Sequence, residues 1–304
     1  MTLEQAIASS HQLRPHTKKQ YVRSVRSFVA FAGDNPSRWT GSVVESYRDA
    51  ELARGASPSY VNTRVSAIKK ASQRWAALGH GSDFAAAAEL LPTDTGKKRS
   101  ALTWSAAQKL VAACEGDSPT DLRDMAIIVF MARTGIRREG LVSIQFSDVV
   151  AAPTSAGRLV TIILKGGKRH KLLLDDETWD TLATWMAWLL DHGCNSGPIF
   201  RGIRTMVAVD GVIGDGLSVT GLHAVIKRRA ARAGMPKVHG HLLRHSCISW
   251  LREAGVPDWR IAQLTGHKVL TAPGVPVVPQ LGTYTTDLSG VPVSNALPWL
   301  RRHS

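Results

Sequence analysis

The stretch HGHLLRHSCISWL, residues 239–251, sets a histidine and an arginine three positions apart in a run of helical character. On a helix, His241 and Arg244 share one face, with about 5–6 Å between their β-carbons. Two cationic or near-cationic groups held that close repel each other unless something strongly negative faces both. Other cations stand at the ends of elements, where side chains are aimed at partners rather than buried. TGIRREGL places Arg137 just past a Thr-Gly break at the start of a new helix, where unpaired N–H groups and the macrodipole favour anions. The turn LKGGKRH offers Lys165 and Lys168, QLTGH presents His267 after a glycine, and GTYTTD holds Tyr284, the only tyrosine beyond Tyr60. Their common chemistry is the recognition of a concentrated negative charge.

Each feature also has a plain structural reading. Arg137 can pair with a nearby carboxylate such as Asp148, a lysine on a hairpin tip is usually solvated, and a histidine after glycine often caps a helix. His241 and His245, four apart, have the spacing of a helical zinc site, but no H-E-x-x-H glutamate and no third ligand accompany them. KGGK lacks the G-x-x-x-x-G-K-[ST] spacing of a phosphate-binding loop. Order and combination must decide.

The elements that carry these residues fall into two domains, as expected for 304 residues. Residues 1–91 read as a small helical bundle. TKKQYVRSVRSFVAFAG has an apolar stripe of Tyr21, Val25, Phe28, Val29 and Ala32, with Thr17 as the expected N-cap and Gly33 as the stop. Further helices are expected from about Ser42 to Arg54, and from Ser57-Pro58 to Leu78. PTDTGKKRS, residues 92–100, reads as a basic linker in which Lys97, Lys98 and Arg99 can cross a phosphate backbone. Residues 101–304 form a mixed second domain with a C-terminal tail. In it LTWSAAQKLVAAC, DLRDMAIIVFMART, ETWDTLATWMAWLLDHG and SVTGLHAVIKRRAARAG are helical, and RLVTIIL and KLLLD flank KGGKRH as a β-hairpin. The fold class is therefore mainly α with a small antiparallel β-sheet.

Composition points the same way. Lys and Arg number 38 against 24 Asp and Glu, a formal charge of +14, which favours a polyanionic partner, with nucleic acid ahead of an anionic membrane. Lys227, Arg228 and Arg232, on the helix before the histidine–arginine motif, are the further candidates for phosphate contact. Three scattered cysteines without a C-x-x-C pair argue against a disulfide framework or a cysteine zinc site. The polar N-terminus lacks a signal-peptide core, and the most membrane-like run, TWMAWLL, is far shorter than the ~20 residues of a span. An intracellular protein with nucleic acid as its favoured partner and no membrane contact is expected.

TGIR, LKGGK, HLLRH, LTGH and TY, in this order, closely resemble the tyrosine recombinase (phage integrase) family, whose catalytic domain reads T-G-L-R, G-K-G-x-K, H-x-L-R-H, L-G-H and then a nucleophilic tyrosine. Asp148 matches the aspartate that the family places about eleven residues after the first arginine. The resemblance covers most of residues 100–285. It implies an N-terminal SAM-like helical core-binding domain ahead of an α/β catalytic domain. It also implies a site-specific recombinase acting on double-stranded DNA as a homotetramer on two duplexes, without cofactor or metal. By the same resemblance Tyr284 attacks a phosphodiester to give a 3′-phosphotyrosyl link, and Arg137 and Arg244 clamp the non-bridging oxygens. Lys165 protonates the departing 5′-oxygen, His241 assists proton transfer at the tyrosine, and His267 hydrogen-bonds the phosphate.

The chain departs from the family in three places. Gly140 stands where the family has Glu, with Glu139 one place early, and His170 and Lys171 fall near a usual Arg. Tyr284 follows His267 by 17 residues rather than roughly nine. The added stretch TAPGVPVVPQLG holds three prolines, which preclude a continuous helix and suggest an extended arm. Such an arm could delay cleavage until assembly or offer Tyr284 to a neighbouring site; the plain alternative is neutral growth of a loop, since loops tolerate insertions. Two other readings stay open: a type IB topoisomerase-like enzyme, distinguished by relaxation without strand exchange, and a non-catalytic DNA-binding relative, distinguished by the absence of a covalent complex.

Overall fold

The computed structural model describes residues 1–93, 101–150, 158–163, 167, 169–206 and 209–266. The chain divides into two compact units, Met1–Lys98 and Arg99–Ser304.

The first unit is helical. Helix α1 (Leu3–Ala8) opens with a capping box, in which Thr2 accepts from the Gln5 N–H and the Gln5 side chain accepts from the Thr2 N–H. This short helix has no counterpart among the sequence expectations. Helix α2 (Pro15–Ala32) stops at Gly33 as expected but starts two residues before Thr17, because Pro15 at the first helical position is already set in helical φ. Helices α3 (Gly41–Ala53) and α4 (Pro58–Ala77) are capped by the side chains of Thr40 and Ser57. Their apolar faces meet around Phe28, whose ring packs on Trp39, Tyr47 and Phe84 with centroids 5.8–6.1 Å apart.

The second unit is built on a central helix. Following α5 (Trp104–Ala112), helix α6 (Pro119–Thr134) is buried at every position from Arg123 to Thr134. The run MAIIVFMA is apolar on all faces and therefore demands neighbours on all sides. A short helix α7 (Arg138–Val142) and a 3-10 turn (Phe146–Asp148) lead into a three-stranded antiparallel sheet of β1 (Val149–Val150), β2 (Arg158–Ile163) and β3 (Arg169–Leu174), in that order. In its register Ile163 opposes Arg169, so Arg169 and His170 belong to the strand and the turn is shorter than KGGKRH. Helix α8 (Asp176–Asp191) follows. A second hairpin, β4 (Arg201–Met206) and β5 (Val209–Gly216), was not legible in the sequence, because VDGVIGDG does not alternate apolar with polar residues. Helices α9 (Val219–Arg232), α10 (Gly240–Glu253) and α11 (Asp258–Thr265) complete the unit. The mainly helical class with small antiparallel sheets holds. No helix among the described residues is long and apolar enough to cross a membrane.

Buried charge fixes how these helices pack. Asp124, fully buried on α6, accepts from Arg123 of its own helix (2.6 and 2.9 Å) and from Arg228 (2.6 Å) and Arg229 (2.7 Å) of α9. Three guanidiniums on one carboxylate are tolerable only while that carboxylate is ionised. Asp124→Asn keeps the shape and removes the charge, and should destabilise the unit by about 3–5 kcal/mol in urea titration. A loss below about 1 kcal/mol would show that the cluster behaves as a surface pair. At its other end α6 is held by Arg133, whose Nε donates to Asp175 (2.9 Å) and whose Nη1 lies 3.2 Å from Glu177. Asp175 also caps α8 through the Thr178 N–H (2.8 Å), so one carboxylate joins the end of β3, the start of α8 and the end of α6.

Candidate active site

Helix α6 ends in the Thr-Gly pair singled out in the sequence. The Thr134 hydroxyl donates to the Phe130 carbonyl (2.6 Å), and Gly135, at φ 60°, turns the chain out of the helix. A β-carbon there would stand 3.0 Å from Thr265 Cγ2 and 3.2 Å from Cys247 Sγ, so the turn requires glycine for space as well as conformation. Two residues on, Arg137 is the N-cap of α7 in extended backbone conformation and uses no side chain of its own to cap. Its half-buried guanidinium Nη1 donates to the Gly266 carbonyl at 3.2 Å.

Helix α10 brings the second arginine. Its N-cap is His239, whose Nδ1 accepts from the Leu242 N–H (3.2 Å). A β-carbon on Gly240 would lie 3.0 Å from Met131 Cε and 3.1 Å from the Arg138 stem, so the helix starts in tight contact with α6 and α7. One turn later Arg244 is buried, 3% exposed, and its Nη1 donates to the Gly135 carbonyl at 2.6 Å. Burial and, after it, the charge of Arg137 push the Arg244 guanidinium down to about 10. His241, three residues before it, is exposed. The result is a half-buried and a buried guanidinium beside an exposed imidazole, an arrangement suited to a doubly clamped oxyanion.

Neighbouring residues support this turn without joining its chemistry. Cys247 donates to the Arg133 carbonyl (3.5 Å), and burial pushes its thiol up to about 12, which rules it out as a nucleophile near neutral pH. Asp148 accepts from Arg169 (3.3 Å) and from the Gln145 N–H (3.0 Å), so the pairing of Asp148 with Arg137 weighed from the sequence is not made. Gly140 is buried, and a β-carbon there would meet the Ile136 side chain at 3.1 Å, so a larger residue such as the glutamate of the family pattern would need Ile136 to give way. Among the described residues no group of three or more His, Cys, Asp or Glu side chains could hold a metal ion.

The candidate phosphate contacts on α9 separate by environment. Lys227 donates to the Pro236 carbonyl (2.5 Å), Arg228 is half exposed on Asp124, and Arg232 is exposed at the last position of the helix. Arg229 is buried between Asp121 and Asp124. Tyr284, Lys165, His267, Lys168, Lys97, Lys98 and Arg99 lie outside the described residues. Sequence reasoning passed over the carbonyls of Gly135 and Gly266 as partners of the arginines; its one available signal was that a Thr-Gly pair closes both helices.

Comparison with known proteins identifies the family. The model of the phage integrase family matches residues 100–272. The chain is 30% identical over 275 residues to tyrosine recombinase XerC of Mycobacterium tuberculosis, covering 84% of this chain and 85% of that protein. It is 28% identical over 263 residues to tyrosine recombinase XerC of Xanthomonas campestris pv. campestris, covering 84% of this chain and 76% of that protein. In fold it is similar to a lambda integrase dimer bound to a COC′ core site, with a TM-score of 0.65 at 19% identity over 88% of this chain and 96% of the other. A family model that matches residues 100–272, and relatives of this name across most of the chain, lead to one conclusion: the chain belongs to the phage integrase family, the tyrosine recombinases that cut and rejoin DNA.

Proposed function

We propose that this protein is a site-specific DNA recombinase that cleaves and reseals each strand through a 3′-phosphotyrosyl intermediate. The observation that carries the reading is the meeting of Arg137 and Arg244, from elements more than a hundred residues apart, at the turn after α6. Burial and then the charge of Arg137 depress the protonation of Arg244, and a phosphodiester between the two reverses that penalty. Tyr284 forms a bond to phosphorus through its phenol oxygen while the bond from phosphorus to the 5′-oxygen breaks. Arg137 and Arg244 neutralise the charge that grows on the non-bridging oxygens, with His267 as a further donor. His241 takes the phenol proton, and Lys165 delivers a proton to the departing 5′-oxygen. One phosphoester replaces another of similar energy, so resealing needs no ATP.

The first unit and the linker cations Lys97, Lys98 and Arg99 bind duplex DNA through its backbone, as do Lys168, Lys227 and Arg232, with Arg228 shared between Asp124 and phosphate. Assembly as a tetramer on two duplexes supplies the paired cleavages that strand exchange requires.

A nicked suicide duplex, whose cleaved end diffuses away, tests the reading on the unmodified protein. The expected product is a covalent protein–DNA adduct that resists denaturant and carries DNA by its 3′ end, with a free 5′-hydroxyl on the released strand. Retarded but never covalent DNA, across a library of candidate sites, would reduce the protein to a DNA-binding relative.

A further inference from the structure

Helices α6 and α11 end in the same two residues, Thr134-Gly135 and Thr265-Gly266, and the two ends touch. Each glycine is left-handed, at φ 60° and 64°. Thr265 occupies the space beside Gly135 that a side chain would need. The hydrogen bonds then cross. The Gly135 carbonyl accepts from Arg244 of α10, and the Gly266 carbonyl accepts from Arg137, which stands just after α6. Each arginine is therefore held by the end of a helix other than its own.

We infer that Gly135 and Gly266 are positioning residues, whose backbone carbonyls orient the two guanidinium forks that receive the phosphate. The inference deepens the function proposed above and rests on it. A guanidinium has five N–H donors in one plane, so a bond from one Nη1 to a fixed carbonyl sets the plane and direction of the others. The carbonyls at a helix C-terminus carry the negative end of the macrodipole, so two like-charged side chains are drawn in beside two negative poles before any phosphate arrives. The left-handed turn determines where each carbonyl points, and an L side chain resists that conformation unless, like Asn, it bonds locally to its own backbone. Because Thr265 lies against Gly135, a shift at one helix end is passed to both forks.

The test compares rates of covalent complex formation on two suicide substrates, one with an ordinary scissile phosphate and one with a methylphosphonate there. The methyl group replaces a non-bridging oxygen, so the transition state carries one negative charge less and needs the guanidiniums less. The ratio of the two rates does not depend on how much protein is folded. Gly266→Val should lose about 10-fold or more on the phosphate and far less on the methylphosphonate, the mark of a displaced oxyanion donor. Gly266→Asn should stay near the wild-type ratio. Gly135→Ala, combined with Thr265→Ser to open the space for its methyl group, should shift the ratio in the same sense. Should Gly266→Val fail to fold, Gly266→Ala is read by the same ratio. Equal losses on both substrates, or a Gly266→Asn protein as impaired as Gly266→Val, would overturn the inference and leave the glycines with a folding role. An Arg137→Ala protein that is not spared on the methylphosphonate would instead remove the clamp assignment on which the inference rests.

Discussion

Tyr284→Phe protein is expected to form no covalent adduct with the suicide duplex, a loss on the order of 10⁴-fold or more, while its DNA affinity stays within about twofold of wild type. Phenylalanine keeps the ring and removes only the oxygen that attacks phosphorus in the proposed mechanism, so binding through arginines and lysines should be untouched. The result also settles which tyrosine acts. Tyr21, Tyr47 and Tyr60 belong to the first unit, where the Tyr47 hydroxyl is bonded to Ser27 (3.0 Å) and Arg64 (2.7 Å). An adduct that survives in Tyr284→Phe would therefore refute the assignment of the nucleophile. The 17-residue separation from His267 gives the experiment a second use. Mixing Tyr284→Phe with Arg137→Ala protein should restore cleavage if the proline-bearing stretch passes Tyr284 to a neighbouring subunit, because one partner then supplies the clamp and the other the phenol. A silent mixture excludes that delivery and assigns Tyr284 to its own site.

Arg244→Met should lower the rate of adduct formation by roughly 10²–10³-fold, the usual cost of one oxyanion donor, and yet leave the protein at least as stable as wild type at pH 7. The side chain is 3% exposed, and its protonation is depressed to about 10, first by burial and then by Arg137. A base whose folded-state pKa lies below its unfolded value makes the charged folded form costly. That cost is present in full below pH 10, on the order of 3 kcal/mol, and is relieved as pH rises from about 10 towards 12.5. Methionine replaces the stem without the charge, at the cost of leaving the Gly135 carbonyl without this donor. Denaturant midpoints at pH 7, 9 and 10.5 should show the variant's advantage shrinking at the highest pH. A wild type that is clearly the more stable at pH 7 would contradict this account. Inorganic phosphate, by filling the clamp, should raise the melting temperature of wild type and not of the variant.

These effects share one origin. On the proposed function, the two guanidiniums are kept together at a cost in stability that the phosphate, when it arrives, repays in affinity and rate. Among the described residues, the backbone carbonyls of Gly135 and Gly266 limit that cost. A carboxylate beside the two arginines would compete with DNA as an anion, whereas a neutral backbone carbonyl orients a fork without that competition. Among the described residues, Asp124 and Asp121 hold α9, and Asp175 holds the end of α6.

The amino-acid order alone determined most helices, because caps and stops are local. Thr40, Ser57, Thr103, Ser118, Asp175 and Ser218 each accept from the N–H three residues on, and each was available as a start signal. The ordered motifs from TGIR to TY also identified the family, since five short patterns in sequence are far rarer than any one. Where two local signals competed, the reading failed: Pro15 overrode Thr17, and the glycine-rich β5 hid its hairpin. Whether a cation is free or held cannot be read from the chain at all. Arg228 and Arg229 are adjacent and identical in type, yet one is half exposed and the other buried, because that depends on where Asp121 and Asp124 arrive. The crossed bonds from Arg244 to Gly135 and from Arg137 to Gly266 span 109 and 129 residues, and only the packed helices decide them, because a carbonyl's direction is a property of backbone in space and leaves no mark on residue type.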